Sequence, residues 1–247
     1  MPNIYLSPST QEWNYYINGG SEEEYMNLIA DRMEPYLTAS GISFTRNSPD
    51  MTAASSIAQS NEGNYDLHFG LHSNAAAPPL SGTARGSLVF YYPTSEKGKA
   101  WAEITANNLR TIYPDPSLVR AEPTTLIGEV RKTKAPSVFV ELAFHDNIED
   151  AVWIKNNLDA AARNLVLSIT EYFGIPFLAP IPPKNGVVDV TWGALNLRDK
   201  PSTRGEVIAL LADGAAVTII NQWQDWFLVE VQGTTGYISK DYVTIVD

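Results

Sequence analysis

The chain has 247 residues, of which 44% are hydrophobic and 18% are charged, so it is not a disordered chain and has room for one large and one small domain. It contains no cysteine, which excludes disulfide frameworks, iron–sulfur clusters, thiolate zinc sites and a cysteine nucleophile. The formal net charge is −11, from 17 basic and 28 acidic side chains without a basic cluster, so we expect neither a nucleic-acid nor a membrane partner.

The longer, N-terminal part of the chain alternates between strand and helix patterns. Short apolar runs predict strands at 4–6, 41–45, 67–71, 88–92 and 137–141. Helical spacing of apolar residues predicts helices at 22–37 and 97–113 and one or two closing helices over 150–173. Ser21 stands where the N-cap of the first helix is expected. This alternation predicts the α/β class, with a mainly parallel twisted sheet flanked by helices.

A proline-rich segment at 177–186 follows the last predicted helix. Pro180, Pro182 and Pro183 favour extended backbone and interrupt helices and sheet ladders. Beyond it, residues 187–247 show only short strand patterns separated by glycine-containing turns, which predicts a small all-β barrel. We therefore predict an α/β domain at 1–176, a linker at 177–186 and the barrel at 187–247.

Polar side chains follow several of the predicted strands. Ligands of open parallel sheets bind beyond the carboxyl ends of the strands, so these side chains are expected to meet at one edge, together with the first turn of the first helix. The candidates are Gln11 after the first strand, His72 and Asn74 after the third, Glu141, His145 and Asn147 at the last, and Glu22 or Glu23 in the helix.

Imidazoles and carboxylates without thiols are the ligands of a catalytic zinc ion, and a further carboxylate can serve as general base. Each candidate also has a structural interpretation. Strand-end histidines and asparagines are often hydrogen-bonded turn residues, and Glu22 can complement the helix dipole. Glu141 is less easily explained, because it follows an apolar Val-Phe-Val run where a carboxylate loses its hydration. We interpret His68, which lies deeper on the strand of His72, as a core or supporting histidine.

Residues 1–175 resemble the zinc-dependent N-acetylmuramoyl-L-alanine amidases, a family of cell-wall hydrolases with an α/β fold. The resemblance rests on four segments in the family's order, at 21–30, 65–75, 82–92 and 134–147. It implies that Glu22 and His72 are zinc ligands and that Glu141 is the catalytic glutamate. Asn74 and Asn147 would support the ligands or the substrate, unless they only form turns.

One position departs from the family pattern. The family's first zinc ligand is a histidine in the turn after the first strand, and this chain has Thr10 there. Neither threonine nor neutral glutamine is a good zinc ligand. We hypothesise that His145 supplies the missing imidazole, which gives a Zn²⁺ site of Glu22, His72 and His145. Gln11 is then a weak further contact or a substrate-binding residue.

Residues 187–247 resemble a bacterial SH3-type domain, chiefly through the segments 194–202 and 236–240. Such domains commonly target enzymes to peptidoglycan, and the resemblance implies the same here. Trp226 opens the strongest strand pattern and is expected in the barrel core. The candidates for an exposed aromatic groove that binds extended peptides are Trp192, Trp223 and Tyr242.

Together these resemblances imply a zinc-dependent peptidoglycan amidase that cleaves the bond between N-acetylmuramic acid and the first L-alanine of the stem peptide. We expect a monomer that acts at the cell wall or outside the cell, as autolysins and endolysins do. The first residues have no cationic or apolar leader pattern, so the route of export is not visible. Two alternatives remain: an impaired scaffold that only binds peptidoglycan, and a carboxypeptidase that cuts within the stem peptide.

Overall fold

The computed structural model describes residues 1–246, which form two compact units. The first unit comprises residues 2–34 and 44–173. The second comprises residue 1, residues 35–43 and the chain from Gly174 onward. The domain boundaries proposed above stay a prediction.

A six-stranded sheet forms the centre of the first unit. Its strands are β1 (Asn3–Pro8), β2 (Ser43–Arg46), β3 (Leu67–Asn74), β4 (Ser87–Tyr91), β5 (Val119–Pro123) and β6 (Ser137–Phe144), in the spatial order β2-β1-β3-β6-β4-β5. The pairs β1–β3, β3–β6 and β4–β5 are parallel, and β4–β6 is antiparallel. This confirms the predicted α/β class with a mainly parallel sheet.

Six helices accompany this sheet. They are α1 (Glu22–Ala39), α2 (Ala53–Glu62), α3 (Glu96–Leu109), α4 (Gly128–Arg131), α5 (Ile148–Asn156) and α6 (Leu158–Phe173). Within residues 1–246, none of the helices is both long and apolar enough to cross a membrane.

The start of α1 brings a carboxylate into the interior. The Ser21 hydroxyl accepts a hydrogen bond from the backbone N–H of Glu24 at 3.1 Å, which confirms the predicted N-cap. The apolar residues of α1 at helical spacing, Met26, Ile29 and Met33 among them, are fully buried. Because α1 is held at its cap and along this face, Glu22 in its first turn is only 1% exposed.

Sequence patterns missed several short elements. Helix α2 fills the loop expected between the second and third strands, because its buried side chains are Ser56, Ile57 and Ser60 and provide little apolar signal. Both β5 and α4 lie in a segment without clear periodicity. The sequence pattern predicted Glu141 at the end of its strand. The strand β6 continues to Phe144, so Glu141 lies within it. Similarly, β3 extends beyond His72 to Asn74.

The second unit contains a seven-stranded sheet in which neighbouring strands run antiparallel. Its strands are β7 (Lys184–Val188), β8 (Ala194–Arg198), β9 (Val207–Ala212), β10 (Ala216–Trp223), β11 (Trp226–Val231), β12 (Thr234–Ser239) and β13 (Val243–Val246). Strand β7 begins at Lys184, and Leu178 packs in a buried cluster with Leu228 and Tyr237. The small all-β barrel predicted for this region is confirmed.

Candidate active site

Two neighbouring parallel strands place a histidine beside a glutamate. In the register of β3 and β6, His72 pairs with Glu141, and His68 pairs with Ser137. Side chains at paired positions of neighbouring strands lie on the same face of the sheet, as do those two or four residues apart on one strand. His68, His72 and Glu141 therefore face the same side.

The first turn of α1 adds a second carboxylate to this face. Glu22 Oε1 lies 2.7 Å from His72 Nδ1, and Glu22 Oε2 accepts a hydrogen bond from Asn14 Nδ2 at 2.7 Å. Gln11 Nε2 lies 3.5 Å from the same His72 nitrogen, and Gln11 Oε1 accepts from Asn14 at 3.0 Å. The loop after β1 thus holds the Glu22–His72 pair on one side.

A third carboxylate, Glu129 of α4, lies on the other side of the His72 ring. Its Oε1 is 3.6 Å from His72 Nε2, an ion-pair distance slightly long for a hydrogen bond. Its Oε2 accepts a hydrogen bond from His68 Nε2 at 2.8 Å. Glu129 is 4% exposed and His68 is fully buried, so this group of charges is removed from water. The interpretation of His68 as a buried supporting residue agrees with these contacts.

The two carboxylates favour a positive charge at His72. Burial acts to lower the pKa of His72, but the nearby carboxylates of Glu129 and Glu22, the latter within hydrogen-bond distance, outweigh it and raise the pKa to about 10. Burial acts to raise the pKa of Glu129, yet its contacts with His68 and His72 hold that pKa well below the usual range. The pKa of Glu22 is likewise lowered by His72 against the effect of burial.

Glu141 has a different environment from the other two carboxylates. Its Oε2 is buried and, within residues 1–246, has no hydrogen-bond partner. Burial raises the pKa of Glu141 to about 7; the charge of His72 opposes this shift, and the charges of Glu22 and Glu129 add to it. A carboxyl group with a pKa near neutrality and an unpartnered oxygen is suited to accept and return a proton.

His145 does not join this group. Its Nδ1 lies 2.9 Å from the carbonyl oxygen and 3.0 Å from the hydroxyl of Ser73, and its ring stacks on Tyr16 at 5.2 Å. Of the three predicted zinc ligands, the structure therefore brings together Glu22 and His72. In the part of the chain that the structure describes, no group of three His, Asp or Glu side chains is arranged to hold a metal ion.

The two predicted asparagines have other contacts. Asn147 caps α5 by accepting hydrogen bonds from the N–H groups of Glu149 and Asp150, and it donates to the carbonyl of Gly82. Asn74 uses its carbonyl to accept from the backbone N–H of His145 at 2.8 Å.

Thr10, which replaces the expected histidine, lines a cavity of about 370 Å³ beside His72. Gln11, Trp13 and Glu129 line the same cavity. Position 10 therefore borders open space next to the His72 imidazole. Trp13, which lines the same cavity, is 64% exposed.

A family model described as N-acetylmuramoyl-L-alanine amidase matches residues 11–171. The chain belongs to this amidase family. A second model, described as bacterial SH3 domain, matches residues 193–244. A search of curated proteins finds no match.

The fold of the amidase is also found in solved structures. AmiC2 of Nostoc punctiforme is 17% identical with a TM-score of 0.61, over 70% of this chain and 97% of that one. The catalytic domain of CwlV from Bacillus (Paenibacillus) polymyxa is 15% identical with a TM-score of 0.62, and the match covers 71% of this chain and 100% of that one. The catalytic domain of the CD27L endolysin, which targets Clostridia Difficile, is 21% identical with a TM-score of 0.58, and the match covers 69% of this chain and 98% of that one.

Two of the three predicted wall-binding aromatics of the amidase share a groove of about 510 Å³ on the barrel. Trp192, which is 87% exposed, and Tyr242 line it together with Trp226, Arg198 and Asp241. Trp226, expected in the core, is partly buried and also packs against the cluster around Leu178. Trp223 is 39% exposed and is not part of the groove lining.

Sequence reasoning missed Asn14 and Glu129. Asn14 lies in a loop, between Trp13 and Tyr15, that has no periodic signal. Glu129 had one usable signal, because it is a carboxylate between apolar neighbours, Ile127 and Val130, as Glu141 is in β6. A search for acidic residues inside apolar runs would have found both glutamates.

Proposed function

We propose that this amidase hydrolyses the bond between N-acetylmuramic acid and the L-alanine of the peptidoglycan stem peptide, and that it uses a zinc ion. The proposal depends above all on one observation. The Glu22–His72 pair lies beside Glu141, whose buried Oε2 is unpartnered and whose pKa is raised to about 7.

Zinc is supported by the type and charge of the donor atoms. Glu22 and His72 offer a carboxylate oxygen and an imidazole nitrogen, which zinc accepts, in a setting that favours positive charge. These two residues would hold the ion. His145, engaged with Ser73, does not lie with them. When bound, zinc lowers the pKa of a water molecule and polarises a carbonyl group.

Glu141 is the proposed general base and acid. Its ionised Oε2 takes one proton from the attacking water, whose oxygen bonds to the lactyl carbonyl carbon. The same carboxyl then returns that proton to the alanine nitrogen as the C–N bond breaks, so the immediate products are a carboxylic acid on the muramic acid and a free amine. Transfer of the second water proton from the acid to the amine gives a carboxylate and an ammonium group. Burial keeps competing water away from this oxygen.

The loop after β1 has a supporting task. Asn14 donates to Glu22 and so holds this carboxylate toward His72. The Gln11 amide, 3.5 Å from His72, is placed to donate a hydrogen bond to a substrate carbonyl.

The barrel is proposed to bind peptidoglycan and to keep the enzyme at the cell wall. Its groove offers Trp192 and Tyr242 as exposed aromatic surfaces, with Arg198 and Asp241 as charged partners for a peptide. We propose that the amidase does this as a monomer.

A second function, peptidoglycan binding by an impaired amidase, is favoured by one observation: Thr10 stands where the family resemblance implies a histidine ligand, and the His145 ring faces Ser73 instead. A turbid suspension of purified cell walls with added zinc separates the two. The hydrolase clears the suspension and releases new L-alanine amino termini, and Glu141→Gln, which keeps the Glu22–His72 pair, does neither. A pure binder sediments with the walls and leaves their amino termini unchanged.

A further inference from the structure

An exposed tryptophan lines the cavity beside His72. Trp13 is 64% exposed, although a large apolar side chain gains stability from burial. Within residues 1–246, no aromatic ring stacks on its indole and no group accepts a hydrogen bond from its N–H. The apolar face of this ring and its single donor are therefore both open to a ligand.

The backbone on either side of Trp13 is held in place. The Asn14 side chain donates to Glu22 and Gln11 at 2.7 and 3.0 Å, and the Asn14 carbonyl accepts from the backbone N–H of Glu22 at 2.8 Å. Tyr16, further along the loop, is only 3% exposed. An exposed side chain on an anchored loop loses little conformational freedom when a ligand binds, which favours binding.

Asn47 provides a second, independent sign of a ligand in this cavity. It lines the cavity and is 4% exposed. Its side-chain nitrogen donates to the Pro8 carbonyl and the Ser56 hydroxyl, each at 3.1 Å, which fixes the orientation of the amide. Its Oδ1 has no hydrogen-bond partner in the part of the chain that the structure describes. A buried acceptor without a partner is costly, and a ligand with an N–H or O–H group can satisfy it.

The charges around the cavity favour a neutral ligand. Its lining includes the carboxylate of Glu129 and, among the described residues, neither lysine nor arginine, and the whole chain has a net charge of −11. The imidazole of His72 is already paired with Glu22. The peptide beyond the reacting amide ends in a carboxylate, which these surroundings repel. The sugar on the other side of that amide carries no charge, so the cavity suits the sugar better.

We propose that Trp13 and Asn47 form a subsite for the N-acetylmuramic acid ring; this rests on the proposed function, which supplies the substrate. One face of a pyranose ring consists of C–H groups that pack on an indole, and its hydroxyl and acetamido groups form hydrogen bonds. The short lactyl group joins this ring to the attacked carbonyl carbon, so the ring must lie beside the Glu22–His72 pair. The cavity of about 370 Å³ is large enough, since small-molecule sites measure roughly 300–1,000 Å³.

The first test measures binding without cleavage, in the presence of EDTA. The probes are the methyl amide of N-acetylmuramic acid and D-lactoyl-L-alanine, which contains the reacting amide but no sugar. NMR follows the indole N–H signals of the tryptophans. We expect the sugar probe to shift the Trp13 signal and to bind about tenfold more tightly than the other. If the sugar probe leaves this signal unchanged, or if only D-lactoyl-L-alanine shifts it, the inference is overturned.

The second test compares Trp13→Ala with Tyr15→Ala. Tyr15 is an aromatic of the same loop, 74% exposed, that is not part of the cavity lining. The affinity for the sugar probe should fall about tenfold in Trp13→Ala and stay at the wild-type value in the control. Equal affinities in the two variants contradict the inference. Should Trp13→Ala not fold, the wild-type titration decides, with the Trp13 signal identified by its absence in Trp13→Phe.

Cleavage with added zinc distinguishes failure of the subsite from failure of the proposed function. Trp13→Ala should lower kcat/KM for N-acetylmuramoyl-L-alanine about tenfold more than for D-lactoyl-L-alanine. If the wild-type protein releases alanine from neither compound nor from cell walls, the proposed function fails, and binding of the sugar probe still decides the subsite. If the wild type is active and Trp13→Ala lowers both values equally or not at all, only the inference fails.

Discussion

His72 and His145 both come from the polar ends of neighbouring strands and are almost equally buried, at 5% and 4% exposure. Their partners differ in charge. His72 lies between the carboxylates of Glu22 and Glu129, whereas His145 contacts the carbonyl and hydroxyl of Ser73. The buried carboxylates favour a positive charge at His72, whereas the neutral acceptors around His145 do not. Burial by itself therefore does not distinguish the two histidines, while the charge of their neighbours does.

The largest expected effect tests this difference directly. His72→Gln should abolish zinc binding and wall hydrolysis and destabilise the fold by roughly 3–5 kcal/mol, because Glu22 and Glu129 lose the cation between them. His145→Gln should retain zinc and lose about 1 kcal/mol, the contribution of ordinary hydrogen bonds. Zinc content by elemental analysis, denaturant unfolding and the release of alanine amino termini measure the three quantities.

The opposite result would reverse the comparison. If His145→Gln loses its zinc as completely as His72→Gln, the ligand set predicted from sequence, with His145 beside Glu22 and His72, describes the working enzyme. The difference between the two histidines would then disappear.

The next effect separates proton transfer from metal binding. Glu141→Gln should lower kcat about 10²–10⁴-fold, because an amide cannot accept the proton of the attacking water. Zinc content should stay at the wild-type level, since Glu141 is not a proposed ligand. A variant that loses its zinc together with its activity would place Glu141 among the ligands.

The pH dependence of activity sharpens the contrast between Glu141 and the other carboxylates. Its pKa is raised to about 7, so below this pH Glu141 is protonated and cannot act as base. We expect kcat/KM to rise about tenfold per pH unit below pH 7 and to level off above it. Glu22 and Glu129, whose pKa values are lowered, stay ionised throughout this range. A profile that is flat down to pH 5 would exclude Glu141 as the base.

The smallest effect concerns the barrel. Trp192→Ala removes the most exposed aromatic of the groove and should weaken binding to purified walls about tenfold, as the loss of a tryptophan from a binding surface typically does. Trp223→Ala, outside the groove lining, is the matched control. Co-sedimentation of both variants with walls gives the comparison. Equal losses would mean that the groove is not the binding surface.

Much of the fold was predictable because the periodic signals were strong. The apolar face of α1 and its Ser21 cap gave the position of Glu22, and the buried runs of β3 and β6 gave His72 and Glu141. Short elements such as α2 and α4 escaped because few apolar residues specify them. Glu129 was missed for the same reason.

The sequence by itself determined the α/β class and the barrel that follows it. It also identified Glu22, His72 and Glu141, whose side chains lie together at the proposed site. Only the tertiary structure decided that Glu129 completes the environment of His72 and that His145 turns to Ser73 instead. The physical reason is that strand and helix patterns depend on residues close together in the chain. The charge around a buried ring depends on side chains brought together from distant segments.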